Sequence, residues 1–100
     1  MTGIERIAAE RKRQIEEEGW NEVRDIMEHP DGELARAAAC YALPDHIRRG
    51  AAIALWWPWD GGWWKPTPDN RIRELEKAGA LIAAEIDRLH RLQRIAEPTP

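Results

Sequence analysis

The sequence predicts an all-α fold, a small domain of about three main helices with a tryptophan-rich loop before a long C-terminal helix. Of the 100 residues, fifteen are alanine, one is valine and none is phenylalanine, so good helix formers dominate. Capping signals at Thr2, Pro30 and Thr67 place the three helices along the chain. This length allows one domain, which we assign to residues 1–96, and residues 97–100 are expected to be a disordered tail.

The first helix is predicted over residues 4–18. Thr2 and Glu5 have the spacing of a capping box, in which each side chain accepts a hydrogen bond from the other residue's backbone, and Gly19 provides the stop. Residues at helical spacing form one largely apolar stripe, made of Ile4, Ile7, Ala8, Arg11 and Ile15. We expect this stripe to face the core and the other charged residues of the helix to form a solvated face.

The second helix is predicted to have Pro30 at its first position and to end near Leu43, before Pro44. Its inner face is mostly small, which allows close approach to another helix: Leu34, Ala37, Ala38 and Tyr41. Residues 21–29 are ambiguous. Residues 44–55 are predicted to hold a short helix with an apolar side of Ile47, Ala51, Ala54 and Leu55.

The longest helix is predicted from a cap at Thr67, with Pro68 in its first turn, to about Ile95. It has the clearest periodicity in the chain, at Leu75, Ala78, Ile82, Ile86, Leu89 and Leu92. Roughly 27 residues at 1.5 Å each is about 40 Å, which exceeds the ~26 Å diameter of a compact domain of this size. Part of the helix must project or pack on a second subunit, so we expect a homo-oligomer, at least a dimer.

Charge and cysteine content exclude several classes of protein. The formal net charge of -3 lacks the basic field of a general nucleic-acid binder. The single cysteine, Cys40, cannot form an internal disulfide or a cysteine-rich zinc site, and its alanine-rich surroundings predict a buried residue. Without a signal-peptide core or a membrane-spanning run, the chain is expected to be cytoplasmic and to have no membrane partner.

Several acidic residues and histidines have spacings that a metal site uses. His29 and Glu33 lie four residues apart at a predicted helix start. The last helix carries Glu74, Glu76, Glu85 and Asp87, of which Glu85 lies nearest the apolar stripe. Acidic residues at a helix N-terminus or on a solvated face need no metal. We therefore predict no metal, no cofactor and no catalytic residue.

Five of the six tryptophans fall within residues 56–64, where Pro58, the Gly61-Gly62 pair and Pro66 interrupt regular structure. Each indole carries on the order of 200 Å² of surface and an N–H that needs a partner. In one interpretation the loop is a lid on the core, with one or two rings buried against Tyr41 and Leu75. In the other, the loop presents its rings to a flat ligand.

The second interpretation predicts a nucleotide site, because rings stack on a base and cations meet phosphate. The rings are Trp56, Trp57, Trp59, Trp63 and Trp64. The cations are Lys65, Arg71 and Arg73, aided by the N-terminus of the last helix, with Arg11 and Arg13 as further candidates. On the first helix, Arg11 or Gln14 turned inward would add a ligand contact.

Four runs of the sequence together resemble a family of small phage and prophage proteins. They include Glu-Gly-Trp within residues 7–20, Asp-Gly-Glu-Leu-Ala-Arg-Ala-Ala-Ala-Cys-Tyr-Ala within 29–42, Trp-Pro-Trp and Trp-Lys-Pro within 57–66, and Lys-Ala-Gly-Ala-Leu-Ile within 77–89. The resemblance covers nearly the whole chain. Family members carry a His-Asp-Asp cluster soon after the Gly-Trp, which residues 21–28 lack here, and this weakens any metal role. The resemblance implies a phage setting and no named activity.

That setting favours an accessory protein that sequesters a small nucleotide-like immune signalling molecule in the host cytoplasm without catalysis. One alternative is an inhibitor that binds a host protein through the tryptophan-rich surface. Another is an all-α nucleotide pyrophosphohydrolase of the MazG type. The paired Glu-Glu-x-x-Glu and Glu-x-x-Asp motifs of that family are not met in order, because Glu16-Glu17-Glu18 has no following glutamate at the right step.

Overall fold

The computed structural model describes residues 1–19, 29–48 and 51–96, and of residues 51 and 52 the backbone alone. Within these ranges the all-α prediction is confirmed, since they contain helices and no strand. The helices are α1 (Gly3–Glu18), α2 (Glu33–Ala42), α3 (Ala51–Trp56) and α4 (Arg71–Ala96), with a 3₁₀ turn at Gly61–Trp63 between α3 and α4. The expectations for residues 20–28 and 97–100 fall outside the described residues.

The start and end of α1 confirm the local signals in the sequence. Thr2 Oγ1 accepts a hydrogen bond from the backbone N–H of Glu5 at 3.2 Å, and Glu5 Oε1 accepts one from the backbone N–H of Thr2 at 2.9 Å. Gly19 ends the helix in the left-handed conformation, with φ 70°, and donates its N–H to the carbonyl of Gln14. Neighbouring residues alone determine both ends, which explains why the sequence predicts them.

The start of α2 differs from the prediction that placed Pro30 at the first helical position. The helix begins at Glu33, because Gly32 before it has φ 82°, a left-handed conformation that interrupts a right-handed helix. Pro30 lies in the turn that precedes this glycine. The carboxylate of Glu33 accepts the N–H of Asp31 at 3.0 Å, which closes that turn. The end at Ala42 agrees with the prediction.

The start of α4 also differs, because Asn70 has the capping role that was predicted for Thr67. Asn70 Oδ1 accepts the N–H of Arg73 at 3.2 Å, whereas the Thr67 hydroxyl donates to the Asn70 carbonyl at 3.2 Å. The helix therefore begins at Arg71 and reaches Ala96, one residue past the predicted end.

The short helix α3 begins later than the predicted segment, and residues 44–48 form turns. Three residues assigned to its apolar side are exposed, Ala54, Ile47 at 51% and Leu55 at 75%. The apolar side that the sequence indicates is therefore not buried at these residues. Apolar spacing indicates a face of a helix, but a helix of six residues that packs mainly on α2 has little surface to cover.

The core lies between α2 and α4 and is built mainly from small residues. Its fully buried or nearly buried members are Leu34, Ala37, Ala38, Cys40, Tyr41, Ala78, Ala80, Leu81 and Ala84. Alanines on both helices allow close approach, as the predicted small face of α2 implied. The burial of Cys40 is confirmed, and it raises the pKa of the thiol.

The two long helices expose apolar residues that the sequence assigns to the core. On α1, Ile4 is 82% and Ile15 is 38% exposed, whereas Glu10, Arg11 and Gln14 are buried. The prediction that the α1 stripe faces the core is therefore wrong for Ile4, Ala8 and Ile15, although Arg11 is buried and Ile7 is half-buried. The predicted solvated face is wrong for Glu10 and Gln14, while Lys12 and residues 16–18 are exposed as expected. The physical reason is that α1 packs on α4 mainly through charged contacts, and Ile7 is the isoleucine of α1 that lies against α4, at Gly79.

Three ion pairs join α1 to α4. Arg73 Nη1 lies 2.7 Å from a carboxylate oxygen of Glu10, Arg11 lies 3.5 Å from Asp87, and Arg6 lies 3.8 Å from Glu76. Periodicity cannot reveal such pairs, because the partners lie more than sixty residues apart in the sequence.

Within the described ranges, no helix combines the length and apolar character that crossing a bilayer requires.

Candidate functional site

A cavity of about 220 Å³ lies between α1, α4 and the tryptophan loop (residues 56–66). Helix α1 lines it with residues spaced by three and four, Glu10, Arg13, Gln14 and Glu18, and α4 with residues spaced by four, Arg73, Lys77 and Leu81. Tyr41 of α2 joins four loop residues, Trp57, Trp59, Trp63 and Lys65. Ligand sites usually measure about 300–1,000 Å³, so this cavity can enclose one part of a nucleotide, either the base or the phosphorylated sugar, and the rest of such a ligand would lie outside it.

Trp57 is the centre of the packed part of the loop. Its ring meets Tyr41 edge-on, with centroids 5.7 Å apart, and meets Trp59 edge-on at 5.4 Å. Trp64 lies 5.0 Å from Trp57 and 4.8 Å from Tyr41. Edge-to-face contacts of this kind stabilise an aromatic cluster beyond its buried area. The cluster confirms packing of the loop against Tyr41, while Leu75, the other predicted contact, is 46% exposed.

Asp60 shapes the turn that carries Trp63 to the cavity. Its Oδ1 accepts the N–H of Gly62 at 2.9 Å, and its carbonyl accepts the indole N–H of Trp57 at 3.1 Å. Trp63 then lies at the rim, 59% exposed, with the Lys65 ammonium 5.9 Å from its ring centroid. The loop therefore has a packed aromatic base and one ring that a ligand can reach.

Tyr41 and Lys77 fasten the end of the loop to the helices. Tyr41 Oη accepts the backbone N–H of Lys65 at 3.3 Å, and Lys77 Nζ donates to the Lys65 carbonyl at 3.0 Å. The Lys77 ammonium also lies 5.4 Å from the centre of the Tyr41 ring. Burial raises the pKa of Tyr41, and burial together with the charge of Arg73 lowers the pKa of Lys77.

Glu10 is a buried carboxylate that two arginines hold in the ionised state. Its Oε1 accepts from Arg13 Nε at 2.8 Å and from Arg73 Nη1 at 2.7 Å, and its Oε2 accepts from Arg13 Nη2 at 2.9 Å. Burial by itself would raise the pKa of Glu10, but these hydrogen bonds and charges outweigh it and lower the pKa to about 2. Glu10 thus fixes the positions of two cations in the cavity wall.

Gln14 presents an acceptor that lacks a partner. Its Nε2 donates to Glu10 Oε2 at 3.2 Å, and an ionised carboxylate only accepts, so this contact fixes the orientation of the amide. The other amide atom, Oε1, is buried and makes no hydrogen bond with any described residue. A buried acceptor without a donor is costly, and a donor on a bound ligand would satisfy it.

The lining of the cavity is cationic overall. Arginine and lysine supply four positive charges and glutamate two negative charges, which leaves a net charge of +2. Glu10 and Glu18 both lie against Arg13, at 2.8 and 3.2 Å. Lys65 and Lys77 have no carboxylate at ion-pair distance among the described residues. An anion is therefore favoured there over a cation.

The structure brings six of the ten residues proposed to bind a ligand to this cavity: Arg13, Trp57, Trp59, Trp63, Lys65 and Arg73. The other four lie elsewhere. Trp56 ends α3 and is 52% exposed, Trp64 packs on Tyr41 beneath the Arg48 guanidinium, and Arg11 pairs with Asp87.

Arg71, the fourth of these residues, has a structural role at the end of α2. It donates to the Tyr41 carbonyl at 2.8 Å, to the Ala42 carbonyl, and to Glu74 Oε1 at 3.1 Å. Glu74 is completely buried, and its Oε2 also accepts from Arg48 at 2.7 Å. These contacts satisfy the last carbonyls of α2 and tie them to the first turn of α4.

The acidic residues of α4 that were considered as metal ligands are engaged by arginines, and the Glu33 carboxylate accepts the backbone N–H of Asp31. Glu85 lies 2.5 Å from Arg88, and Glu76 lies 3.8 Å from both Arg6 and Arg73. Asp87 and Glu74 have the partners already described. Among residues 1–19, 29–48 and 51–96, no three histidine, cysteine, aspartate or glutamate side chains form a group suited to a metal ion.

Sequence reasoning did not assign Glu10, Glu18, Tyr41, Lys77 or Leu81 to the cavity. The spacing of Arg73, Lys77 and Leu81 is a signal that places them on one face of the last helix, but only the packing shows that this face meets the loop.

The chain matches no family model, no curated protein and no solved structure in comparisons with each.

Proposed function

We propose that this protein binds a small nucleotide-like anion in the cavity and holds it without chemical change. The observation that carries the proposal is the meeting of three indoles, from Trp57, Trp59 and Trp63, with four cationic side chains around one small cavity. Rings suit a base and cations suit phosphate. As a phage accessory protein, it would sequester an immune signalling nucleotide in the host cytoplasm.

Trp63 and the two lysines are the proposed ligand contacts, because Trp63 is exposed at the rim and neither lysine is paired with a carboxylate among the described residues. The Lys77 ammonium gives one N–H to the Lys65 carbonyl and has two more for a ligand. Stacking of a base on an aromatic ring is worth roughly 1–3 kcal/mol. Each charge-assisted contact adds roughly 1.5–3 kcal/mol. One ring and two lysines thus support affinity in the micromolar range after the cost of association. The Oε1 of Gln14 favours a ligand with an N–H donor, such as an amino-bearing base.

A matched pair of tryptophan substitutions tests the aromatic part of the site. Trp63 and Trp56 are similarly exposed, at 59% and 52%, but Trp63 lines the cavity and Trp56 does not. Calorimetry with cyclic dinucleotides, cyclic trinucleotides and cyclic ADP-ribose isomers identifies the ligand. Trp63→Ala should then raise its Kd about 5- to 150-fold, from the loss of one stacking contact, and Trp56→Ala should leave it unchanged.

A second pair tests the cationic part. Lys77→Gln should weaken binding and reduce its dependence on salt, because one phosphate contact is lost. Lys12→Gln is the control, since the Lys12 side chain is 73% exposed and pairs with Glu16 outside the cavity. Absence of binding heat and of any change in tryptophan fluorescence across the whole panel would refute the proposal. Equal effects of both lysine substitutions would refute the assigned site.

Recovery of the ligand after denaturation separates sequestration from hydrolysis. The intact ligand is expected, both with and without magnesium or manganese. Release of pyrophosphate from a nucleoside triphosphate with these metals would instead support the MazG-type alternative. Two carboxylates, Glu10 and Glu18, lie in the cavity wall and are the residues to substitute in that case.

Exposed apolar residues at the end of α3 and in the tryptophan loop after it favour a second candidate function. Leu55 is 75%, Trp56 is 52% and Trp63 is 59% exposed, and tryptophan is enriched in the centres of protein interfaces. In this alternative the protein inhibits a host protein that binds these three residues. Trp56→Ala and Leu55→Ala should then abolish capture of one specific host protein, whereas Lys77→Gln should not.

A further inference from the structure

The face of α4 that points away from the core is an apolar stripe with the spacing of a coiled coil. We call this stripe the apolar seam, and it consists of five residues: Ile72, Leu75, Ile82, Ile86 and Leu89. With Gly79 between Leu75 and Ile82, the positions follow one another at alternating steps of three and four residues. This is the a and d pattern by which helices pair, and it continues over about 26 Å of helix at 1.5 Å per residue.

Every residue of the apolar seam is substantially exposed. Ile72 is 58%, Leu75 is 46%, Ile82 is 48%, Ile86 is 60% and Leu89 is 48% exposed. Isolated exposed apolar residues are ordinary in proteins, but a row of five branched aliphatic side chains, interrupted at Gly79, marks an interaction site. Within the chain, α2 and α1 occupy the other sides of α4.

The apolar face of α1 lies next to the seam and meets it at Gly79. A side chain at residue 79 would collide with Ile7, because Ile7 Cδ1 lies 2.5 Å from the position that a Cβ there would take. Ile7 therefore covers the gap that the glycine leaves in the row. Beyond Ile7, a shallow groove is lined by Ile4, Ala8, Ile15 and Ala83. With Ile4 and Ile15, the exposed apolar area is on the order of 600 Å², close to the ~800 Å² that each partner buries in a standard interface.

In α1 and α4, several polar side chains are buried and several apolar side chains are exposed, which strengthens this interpretation. Their buried polar residues include Glu10, Gln14 and Glu74. Ile4 and Ile15 of α1 and the five residues of the apolar seam are exposed, whereas Leu81 of α4 is in the core. A monomer would gain stability from the opposite arrangement, since burial of apolar surface is the main favourable contribution to folding. The arrangement is favourable if the outward face is buried in an assembly.

We propose that the occupant of this face is a second copy of the same chain, related by a two-fold axis across α4. Two observations favour self-association over a different partner. The three-four spacing on one long helix is self-complementary, as a two-fold interface requires. On the side of the seam next to α1, the α4 carboxylates Glu76 and Asp87 are paired within the chain, with Arg6 and Arg11, so this side of the seam presents no unpaired carboxylate that calls for an oppositely charged partner.

The molecular mass in solution tests the proposal. Light scattering at micromolar concentration should give twice the 11.5 kDa of one chain, or a larger even multiple. The double variant Ile82→Glu, Ile86→Glu places two negative charges in the middle of the seam. It should shift the mass to that of one chain, while the far-UV circular dichroism spectrum remains helical. Leu55→Glu is the matched control, because Leu55 is 75% exposed on a different helix, and it should leave the mass unchanged. A wild-type mass of one chain overturns the proposal, and so does equal dissociation by the control.

A cysteine crosslink gives the answer if the double glutamate variant does not fold. Ile82 lies near the middle of the seam, so Ile82→Cys should form a disulfide-linked dimer under mild oxidation. Leu55→Cys should remain monomeric on a denaturing gel, and the native Cys40 is buried. Equal crosslinking at both positions, or none at Ile82→Cys, contradicts pairing along the seam. The described lining of the cavity includes no seam residue, so this result and the ligand-binding result stand independently.

Discussion

The buried carboxylate of Glu10 allows a quantitative prediction about stability. Its hydrogen bonds to Arg13 and Arg73 lower its pKa from an ordinary 4.5 to about 2 in the folded chain. Each unit of difference between the folded and unfolded pKa is worth about 1.36 kcal/mol. The ionised side chain therefore contributes on the order of 3 kcal/mol to the free energy of unfolding at neutral pH.

The sign of the effect determines its pH range. Because the folded pKa lies below the unfolded value, the contribution is fully present above about pH 5 and is lost as the pH falls toward 2. Glu10→Gln preserves the shape of the side chain but removes the charge that holds both arginines. The variant should thus be less stable by about 3 kcal/mol at pH 7, and the difference should disappear near pH 2.

Urea unfolding monitored by circular dichroism between pH 7 and 2 measures this difference at fixed protein concentration. Glu16→Gln is the control on the same helix, because its carboxylate is 61% exposed and lies 3.9 Å from Lys12. That variant should differ from wild type by less than about 1 kcal/mol. A Glu10→Gln variant as stable as wild type at pH 7 would refute the reasoning, as would a difference that persists at pH 2.

Two further substitutions test contacts between distant parts of the chain. Glu74→Gln breaks a completely buried pair with Arg48 and should lower the free energy of unfolding by about 3–5 kcal/mol; thermal unfolding unchanged from wild type would contradict this. Gly79→Ala should destabilise by about 1–3 kcal/mol despite the higher helix propensity of alanine, because its Cβ meets Ile7 at 2.5 Å. The control Gly3→Ala meets nothing within 4 Å, and adding Ile7→Ala to Gly79→Ala should restore part of the loss.

The inward polar residues show where sequence patterns mislead. Periodicity correctly places Ile4, Ile7 and Ile15 on one face of α1, but it contains no information on which face meets the rest of the chain. In this fold, Glu10 pairs with Arg73, so the polar face of α1 packs on α4 and, of the apolar face, Ile7 lies against Gly79. The interpretation of periodicity assumes that apolar faces are buried, and this assumption fails where polar side chains such as Glu10 are buried instead.

The position of the tryptophan loop was predictable because the residues that interrupt regular structure there act locally. Pro58, Gly61-Gly62 and Pro66 interrupt the helices whatever surrounds them. The division of roles among the rings was not predictable, since all five have the same chemistry. Contacts with Tyr41 place Trp57 and Trp64 in the aromatic cluster, and the turn at Asp60 leaves Trp63 at the rim of the cavity.

The sequence by itself determined the helical class, the capping box at Thr2, the stop at Gly19 and the position of the irregular loop. These features depend on backbone preferences and hydrogen bonds between residues a few positions apart. Only the tertiary structure decided which faces of α1 and α4 are buried, which cations line the cavity, and that Arg71 serves the end of α2. These features depend on pairings between residues far apart in the chain, whose energies arise only once the helices have packed.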